Sequence, residues 1–225
     1  MPIFLLEEFG SASIGVYTLI TEEIAMVPKP ITETHVRKLE GWLGVEVIRT
    51  NIGGSILLGS LVCANSHGMI LPHFVRDDEV EVIKSSLDLN LTIMPTKRTA
   101  YGNLVLANDF GAIVDPRLRK PDIKCIEDTL DVEVVPCEIA GLPYVGSLAT
   151  ATNKGILAHP LITDEEQKVL EDILKVNVGV GTVNCGIPYI ATGLRGNSRA
   201  AVAGSLTTGP ELFMIGQALD VVGNG

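Results

Sequence analysis

The sequence predicts an α/β fold in which five blades of strand, helix, strand and strand close into a ring, a pseudo-five-fold α/β propeller. Three observations predict it. Pro28, Pro72, Pro116 and Pro160 stand 44 residues apart at every step, and Gly204 fills the next place in the series. Five sets of residues spaced 3 then 4 apart, four of them wholly apolar, recur on almost the same period. The last copy runs out after its helix, at "LDVVGNG", while the strands it lacks stand at the other terminus in "FLLEEFGSASIGVYTLI". Self-similarity at such a period marks units that bury their apolar faces only by stacking on one another.

The elements follow in order within each repeat. A short apolar run lies between a glycine (Gly68, Gly111, Gly155) and the recurring proline, and reads as a buried strand closed by a breaker. The helix comes next. Its face is Val36/Leu39/Leu43, Val80/Ile83/Leu87, Ile123/Ile126/Leu130, Gln167/Leu170/Leu174 or Leu212/Ile215/Leu219, and the middle members recur at 44, 43, 44 and 45 residues. In the fourth copy "TDEE", 163 to 166, is a capping box. Each helix stops at Gly, Asp or Lys, and a second strand begins: "VEVIRT", "LNLTIMP", "VEVVPC", "VNVGVGTV". After a glycine-bearing turn, "SLVCAN", "NLVLAN" and "SLATATN" read as third strands. The expected organisation is one domain, residues 1–225, with repeats near 21–64, 65–107, 108–151 and 152–196, and a fifth, 197–225, completed by residues 1–20. Closing the ring removes the edges an open array would have to cap.

Composition narrows the partners. The chain has 225 residues, 46% of them hydrophobic, and a net charge of −10. Such a surface repels phosphate backbones and attracts basic proteins, so no free nucleic acid is expected as a partner. Cys63, Cys125, Cys137 and Cys185 form no C-x-x-C pair and have no nearby His at zinc spacing, which suits buried thiols in a reducing cytoplasm and no metal. "MPIFLLEEFG" lacks a basic segment and carries Glu7 and Glu8, unlike a signal peptide. The uncharged run from Thr50 to Val75 is cut by Gly53, Gly54, Gly59, Gly68 and Pro72, so it reads as short strands and not a membrane helix. A ring without spare edges makes a monomer the simplest expectation.

"GNLVLANDFGAIVDP", "VGTVNCG" and "TNIGGSILLG", in register within the five-fold repeat, resemble the initiation factor six family, ribosome anti-association factors of the pentein architecture. The resemblance covers essentially the whole chain and fits the archaeal form, without the tail of eukaryotic members. It implies a cytoplasmic protein that binds the large ribosomal subunit, blocks its premature joining to the small subunit and takes part in large-subunit maturation. It also implies a release GTPase and an accessory factor. Penteins also include guanidine-modifying enzymes, whose chemistry requires a thiolate, a base and two carboxylates in one pocket. Cys185 is the candidate nucleophile and His159 the candidate base for that alternative. "ATATNKGIL" and "LRGNSRAAV", entering the fourth and fifth blades, carry no acid, so the reading is a non-enzyme without cofactor.

The contact patch is sought where five-fold symmetry breaks, since a partner without that symmetry meets one orientation only. Among the strand-to-strand turns, "PTKRTAYGN" alone carries a basic pair, Lys97 and Arg98. Tyr101, Tyr144 and Tyr189 stand in nearly matching places, and Ser60, Asn103 and Ser147 are expected to begin the third strands. The candidate ribosome contacts are Asn103, Gly102, Tyr101, Ser60 and Ser147. "RLRK", 117 to 120, is the densest basic stretch. The large subunit is expected to be met mainly through its basic proteins.

Overall fold

A computed structural model describes residues 2–219. In chain order it opens with β1 (Ile3–Leu6), a one-turn helix α1 (Ile14–Tyr17), β2 (Leu19–Ile20), β3 (Ile24–Pro28), the long helix α2 (Glu33–Leu43) and β4 (Glu46–Thr50). The pattern then repeats: α3 (Leu58–Leu61), β5 (Cys63–Ala64), β6 (Gly68–Pro72), α4 (Asp77–Ser86), β7 (Asn90–Met94). Next come α5 (Tyr101–Leu104), β8 (Val105–Ala107), β9 (Gly111–Val114), α6 (Lys120–Leu130), β10 (Glu133–Pro136). The fourth unit is α7 (Val145–Leu148), β11 (Ala149–Ala151), β12 (Ile156–Ala158), α8 (Asp164–Leu174), β13 (Val178–Val180). Last are α9 (Ile190–Gly193), β14 (Leu194–Gly196), β15 (Ala201–Gly204) and α10 (Gly209–Ala218).

These strands form five three-stranded sheets. In each, the middle strand is antiparallel to the short strand before it and parallel to the strand that follows the long helix, as β5, β6 and β7 show. The fifth sheet takes its parallel strand from the N-terminus: β1 pairs with β15, Ile3 opposite Ala201 through Leu6 opposite Gly204. This pairing closes the ring. The N-terminal segment is divided between blades, because β2 pairs with β3 in the first sheet. The "LDVVGNG" segment lies outside the described residues from 220 onward.

The long helices bury the expected faces. Leu39, Ile83, Ile126, Leu170 and Ile215 are all fully buried, each contributing about 1.5–3 kcal/mol. Gly44, Asp131 and Lys175 end their helices in the left-handed conformation, which satisfies the last carbonyls and turns the chain into the next strand.

The third strands differ from expectation. "SLVCAN", "NLVLAN" and "SLATATN" each start as the end of a one-turn helix, and only two or three residues of strand follow. Ser60, Asn103 and Ser147 therefore lie on α3, α5 and α7 and do not begin strands. The reason is packing at the centre. A Cβ added to Gly59, Gly102 or Gly146 would stand 2.1, 2.1 or 2.3 Å from the carbonyl oxygen of Gly15, Gly59 or Gly102 respectively. Only a glycine lets consecutive one-turn helices approach so closely. The series closes where Gly15 meets the Ala191 carbonyl. Arg195 clasps the same ring, donating from Nη2 to the carbonyls of Gly15 and Gly59 at 2.9 and 3.0 Å. Burial pulls its guanidinium down towards about 10, and it stays charged at neutral pH.

Candidate binding face

The ring has two faces. On the front face the middle strands end, the long helices begin, and the turns between blades run into the one-turn helices. On the rear face lie the hairpin turns before the middle strands and the C-termini of the long helices.

The rear face repeats one device. Asn65 Nδ2 donates to the carbonyls of Asn108 and Leu130, and Asn108 Nδ2 donates to those of Thr152 and Leu174. Asn197 Nδ2 donates to the Leu43 carbonyl across the closure. Each amide stitches its blade to the next, and its Oδ1 receives the N–H groups of its own hairpin turn.

The front face repeats a second device at three of its five junctions. A glutamate at the third position of a long helix grips the preceding turn. Glu79 accepts from the N–H groups of Gly53, Gly54 and Arg76. Glu166 accepts from Ala140, Gly141 and Thr163, and Glu211 from Cys185, Gly186 and Thr208. Burial works to raise the Glu211 carboxyl, but these N–H donors and the hydroxyls of Thr182 and Thr208 bring it down to about 2.

The junction before α6 departs from this pattern. Its third helical residue is Asp122, which is taken by Arg119 at 2.9 Å through both oxygens. The turn is held instead by Tyr101, whose hydroxyl meets Thr96 Oγ1 at 2.8 Å. Arg98 leaves this turn and donates from Nη2 to the Arg117 carbonyl at 3.1 Å. The two basic stretches therefore converge. Arg117 forks onto the buried carboxylate of Asp115 at 2.7 and 3.0 Å, and its guanidinium lies 4.8 Å from the centre of the Tyr144 ring. Burial pushes Asp115 up, yet the side chain and N–H of Arg117, with Arg98 behind, hold it below the ordinary carboxylate range. Three arginines, Arg98, Arg117 and Arg119, thus pair with two carboxylates, and Lys97 and Lys120 stand exposed beside them in the chain, on a protein of net charge −10.

Of the two faces, this one also carries most of the apolar exposure, while Leu5, Ile93, Val180, Phe213 and Met214 are exposed on strands and the last helix around the sides. Phe9, Leu57, Phe74, Tyr144, Leu161, Ile187, Tyr189 and Leu206 are large, well exposed and placed in front-face segments. Phe110 is their one counterpart on the rear face among the described residues. Apolar and aromatic side chains gathered on one face mark an interaction surface.

The expected contacts divide. Tyr101 is fully buried and Gly102 is enclosed by Gly59 and Val62, so neither reaches a partner. The three tyrosines are out of register: Tyr101 is the first residue of its helix, whereas Tyr144 and Tyr189 precede theirs. One position turns Tyr101 inward and leaves the other two 47% and 45% exposed. Asn103, Ser60 and Ser147 are half-buried near the axis. Ser147 donates to the Tyr144 carbonyl at 2.7 Å, while the Asn103 amide makes no hydrogen bond among the described residues. The residues missed were Arg117 and Tyr144 as a stacked pair, and Phe74 with Leu57. The sequence signal for Phe74 is an apolar residue just beyond the breaker, as at Leu161 and Leu206; the meeting of Arg117 with Tyr144 is tertiary and has no local signal.

Cys185 is exposed in a left-handed turn conformation, and its N–H is spent on Glu211. His159 is buried, and its Nδ1 accepts from the Leu161 N–H at 3.1 Å. Burial lowers its pKa, with Glu166 acting weakly the other way. No hydrogen bond joins Cys185 and His159 among the described residues. Within those residues no three His, Cys, Asp or Glu side chains gather as a metal site, and no helix is long and apolar enough to cross a membrane.

Comparison with known proteins gives one answer. The eIF-6 family model matches residues 3–218. The chain is 45% identical to "Translation initiation factor 6" of Methanocaldococcus jannaschii, over 95% of this chain and 96% of that one. It is 37% identical to the protein of that name from Staphylothermus marinus, over 97% and 98% of the two chains. With that of Pyrococcus horikoshii it shares 39% identity, over 99% and 100%.

Proposed function

Because the chain belongs to the eIF-6 family, whose matched relatives are named as translation initiation factors, we propose that it acts in translation initiation by binding the large ribosomal subunit through its front face. The body of the ring then occupies the space in which the small subunit would dock. The chain works as one closed unit in the cytoplasm, without catalysis or cofactor. It also accompanies large-subunit maturation and is removed by a GTPase with an accessory factor.

The observation that carries this reading is the asymmetry of the two faces. The front face joins exposed aromatic and aliphatic side chains to a basic corner, and it is there that the five-fold repeat is broken. Aromatic and Arg side chains are the usual anchors of protein interfaces. The acidic remainder of the ring favours basic ribosomal proteins, while the corner at Arg98 and Arg117 lets phosphate lie alongside them. Asn103, with its unpaired amide, and Ser60 and Ser147 are the proposed contacts nearest the axis.

Co-sedimentation with purified large subunits tests the binding, and light scattering of mixed subunits tests the blockade. The protein is expected to pellet with large subunits only and to lower subunit joining in proportion to its occupancy. Joining that proceeds unchanged on saturated large subunits would overturn the steric part of the proposal.

A further inference from the structure

We infer that Glu8 and His35 share a single proton and form a pH-responsive latch at the seam where the ring closes. The inference goes beyond the ribosome-binding reading and does not depend on it.

The seam is the turn after β1. Glu8 and Ser11 exchange backbone hydrogen bonds at 3.0 and 2.9 Å, with Phe9 and Gly10 in the left-handed region between them. By position this turn corresponds to those gripped by Glu79, Glu166 and Glu211. The third residue of its long helix, however, is His35. The acid has moved from the helix to the turn. Glu8 is buried, with one oxygen receiving the Thr18 hydroxyl at 2.6 Å and the other without a partner. His35 Nε2 is likewise buried and unpartnered, 4.0 Å from Glu8 Oε1, the oxygen that Thr18 serves. A buried carboxyl and an imidazole this close, each with one atom left unpartnered, titrate as a coupled pair that is least costly when it holds one proton.

The surroundings supply little else. Thr18, just beyond α1, is the one polar group acting on Glu8, and Lys38 on α2 is the charge acting on His35. Glu7 points to the surface, where Ser205 Oγ approaches it at 3.5 Å. Burial pushes the Glu8 carboxyl up to about 7, with the Thr18 hydroxyl pulling the other way. Burial, then Lys38, pulls His35 below its ordinary value. For a carboxyl raised in the folded state, the stabilisation is full below its unfolded value of 4.5 and is lost as pH rises through about 7. For a lowered histidine it is present above the ordinary value and lost as pH falls. Near neutrality the pair keeps one proton. Above that range a bare carboxylate is left buried in the seam, and β1 with the Phe9 turn is held less firmly.

The test is thermal unfolding of the whole chain between pH 5 and 8, with wild type, Glu8→Gln and His35→Gln. Glu8→Gln mimics the protonated acid. It is expected to match wild type at pH 5 and to melt about 5 °C higher at pH 8. His35→Gln offers Glu8 a non-titrating N–H donor and flattens the same pH dependence. In proton NMR, the His35 ring of wild type shows an inflection near pH 7, where Glu8 titrates, and Glu8→Gln abolishes it. Either variant keeping the wild-type slope, or His35 titrating alike in wild type and Glu8→Gln, overturns the inference.

Discussion

The two faces of the ring follow different rules. On the rear face one amide device recurs at Asn65, Asn108 and Asn197, always bridging to the next blade. On the front face the glutamate grip recurs three times and is broken before α2 and before α6. Repetition is what a closed ring requires for its own stability, because every blade faces the same packing problem. Departure from repetition at an exposed position has no such cause, and it falls where the basic corner and Tyr144 lie. Symmetric features therefore maintain the ring; of the two departures, the one before α2 is buried in the seam, and the one before α6 is the exposed one left for the proposed partner.

The largest effect is expected where the symmetric core is touched. In Gly102→Ala the new methyl would lie 2.1 Å from the Gly59 carbonyl, with backbone on all sides. A loss of about 3 kcal/mol is expected in denaturant unfolding. Binding to large subunits, measured well below the new melting temperature, should be intact. A stable variant that fails to bind would reverse the assignment of Gly102 to the ring.

Next in size is a grip on the front face. The Glu211 carboxyl is depressed to about 2 from 4.5. Its contribution is therefore complete above pH 4.5 and lost as pH falls through about 2. Glu211→Gln should cost about 2 kcal/mol at pH 7, with the gap to wild type narrowing as both are acidified. A gap that is constant with pH would show that the amide fails by shape and not by charge.

Much of this division was legible in the sequence. The spacing of Pro28, Pro72, Pro116 and Pro160 exposed the blades, and the 3-then-4 faces located Leu39 through Ile215 in the core, because strand and helix periodicity are local. Closure through β1 followed from the strands missing after α10. The one-turn helices were not legible. Four residues are too few to show a helical period, and the close contact of Gly59 with Gly15 exists only between blades. For the same reason Tyr101 was matched with Tyr144 and Tyr189, when a shift of one residue inverts its direction. The capping glutamate in "TDEE" could be read as a helix start, but its hold on Ala140 and Gly141 joins residues 25 or more apart. The convergence of Arg98 on Arg117 is likewise tertiary.

Smaller effects should come from the asymmetric corner. Lys97 and Lys120 are exposed and make no ion pair among the described residues. Replacing both with Glu leaves the Arg117–Asp115 fork untouched. Unfolding should be unchanged, while affinity for large subunits falls roughly ten-fold and its salt dependence becomes shallower. Equal binding across a salt series would remove the corner from the contact surface and return the weight to the apolar residues.

The finest test is Asn103. Its neighbours in the ring of one-turn helices are Ser60 and Ser147, of which Ser147 already spends its hydroxyl on the Tyr144 carbonyl. Of these three, Asn103 alone offers an amide, with donor and acceptor both free among the described residues. Asn103→Ala removes a polar group that satisfies nothing inside the chain, so stability should hold. If the amide meets the subunit, binding should weaken by about five-fold, the size of one lost hydrogen bond. Asn103→Ser, which restores the residue found at the two neighbouring equivalent positions, should recover little of it. Full recovery by serine would mean that the axial position is read by shape alone, and that the broken symmetry there carries no information for the partner.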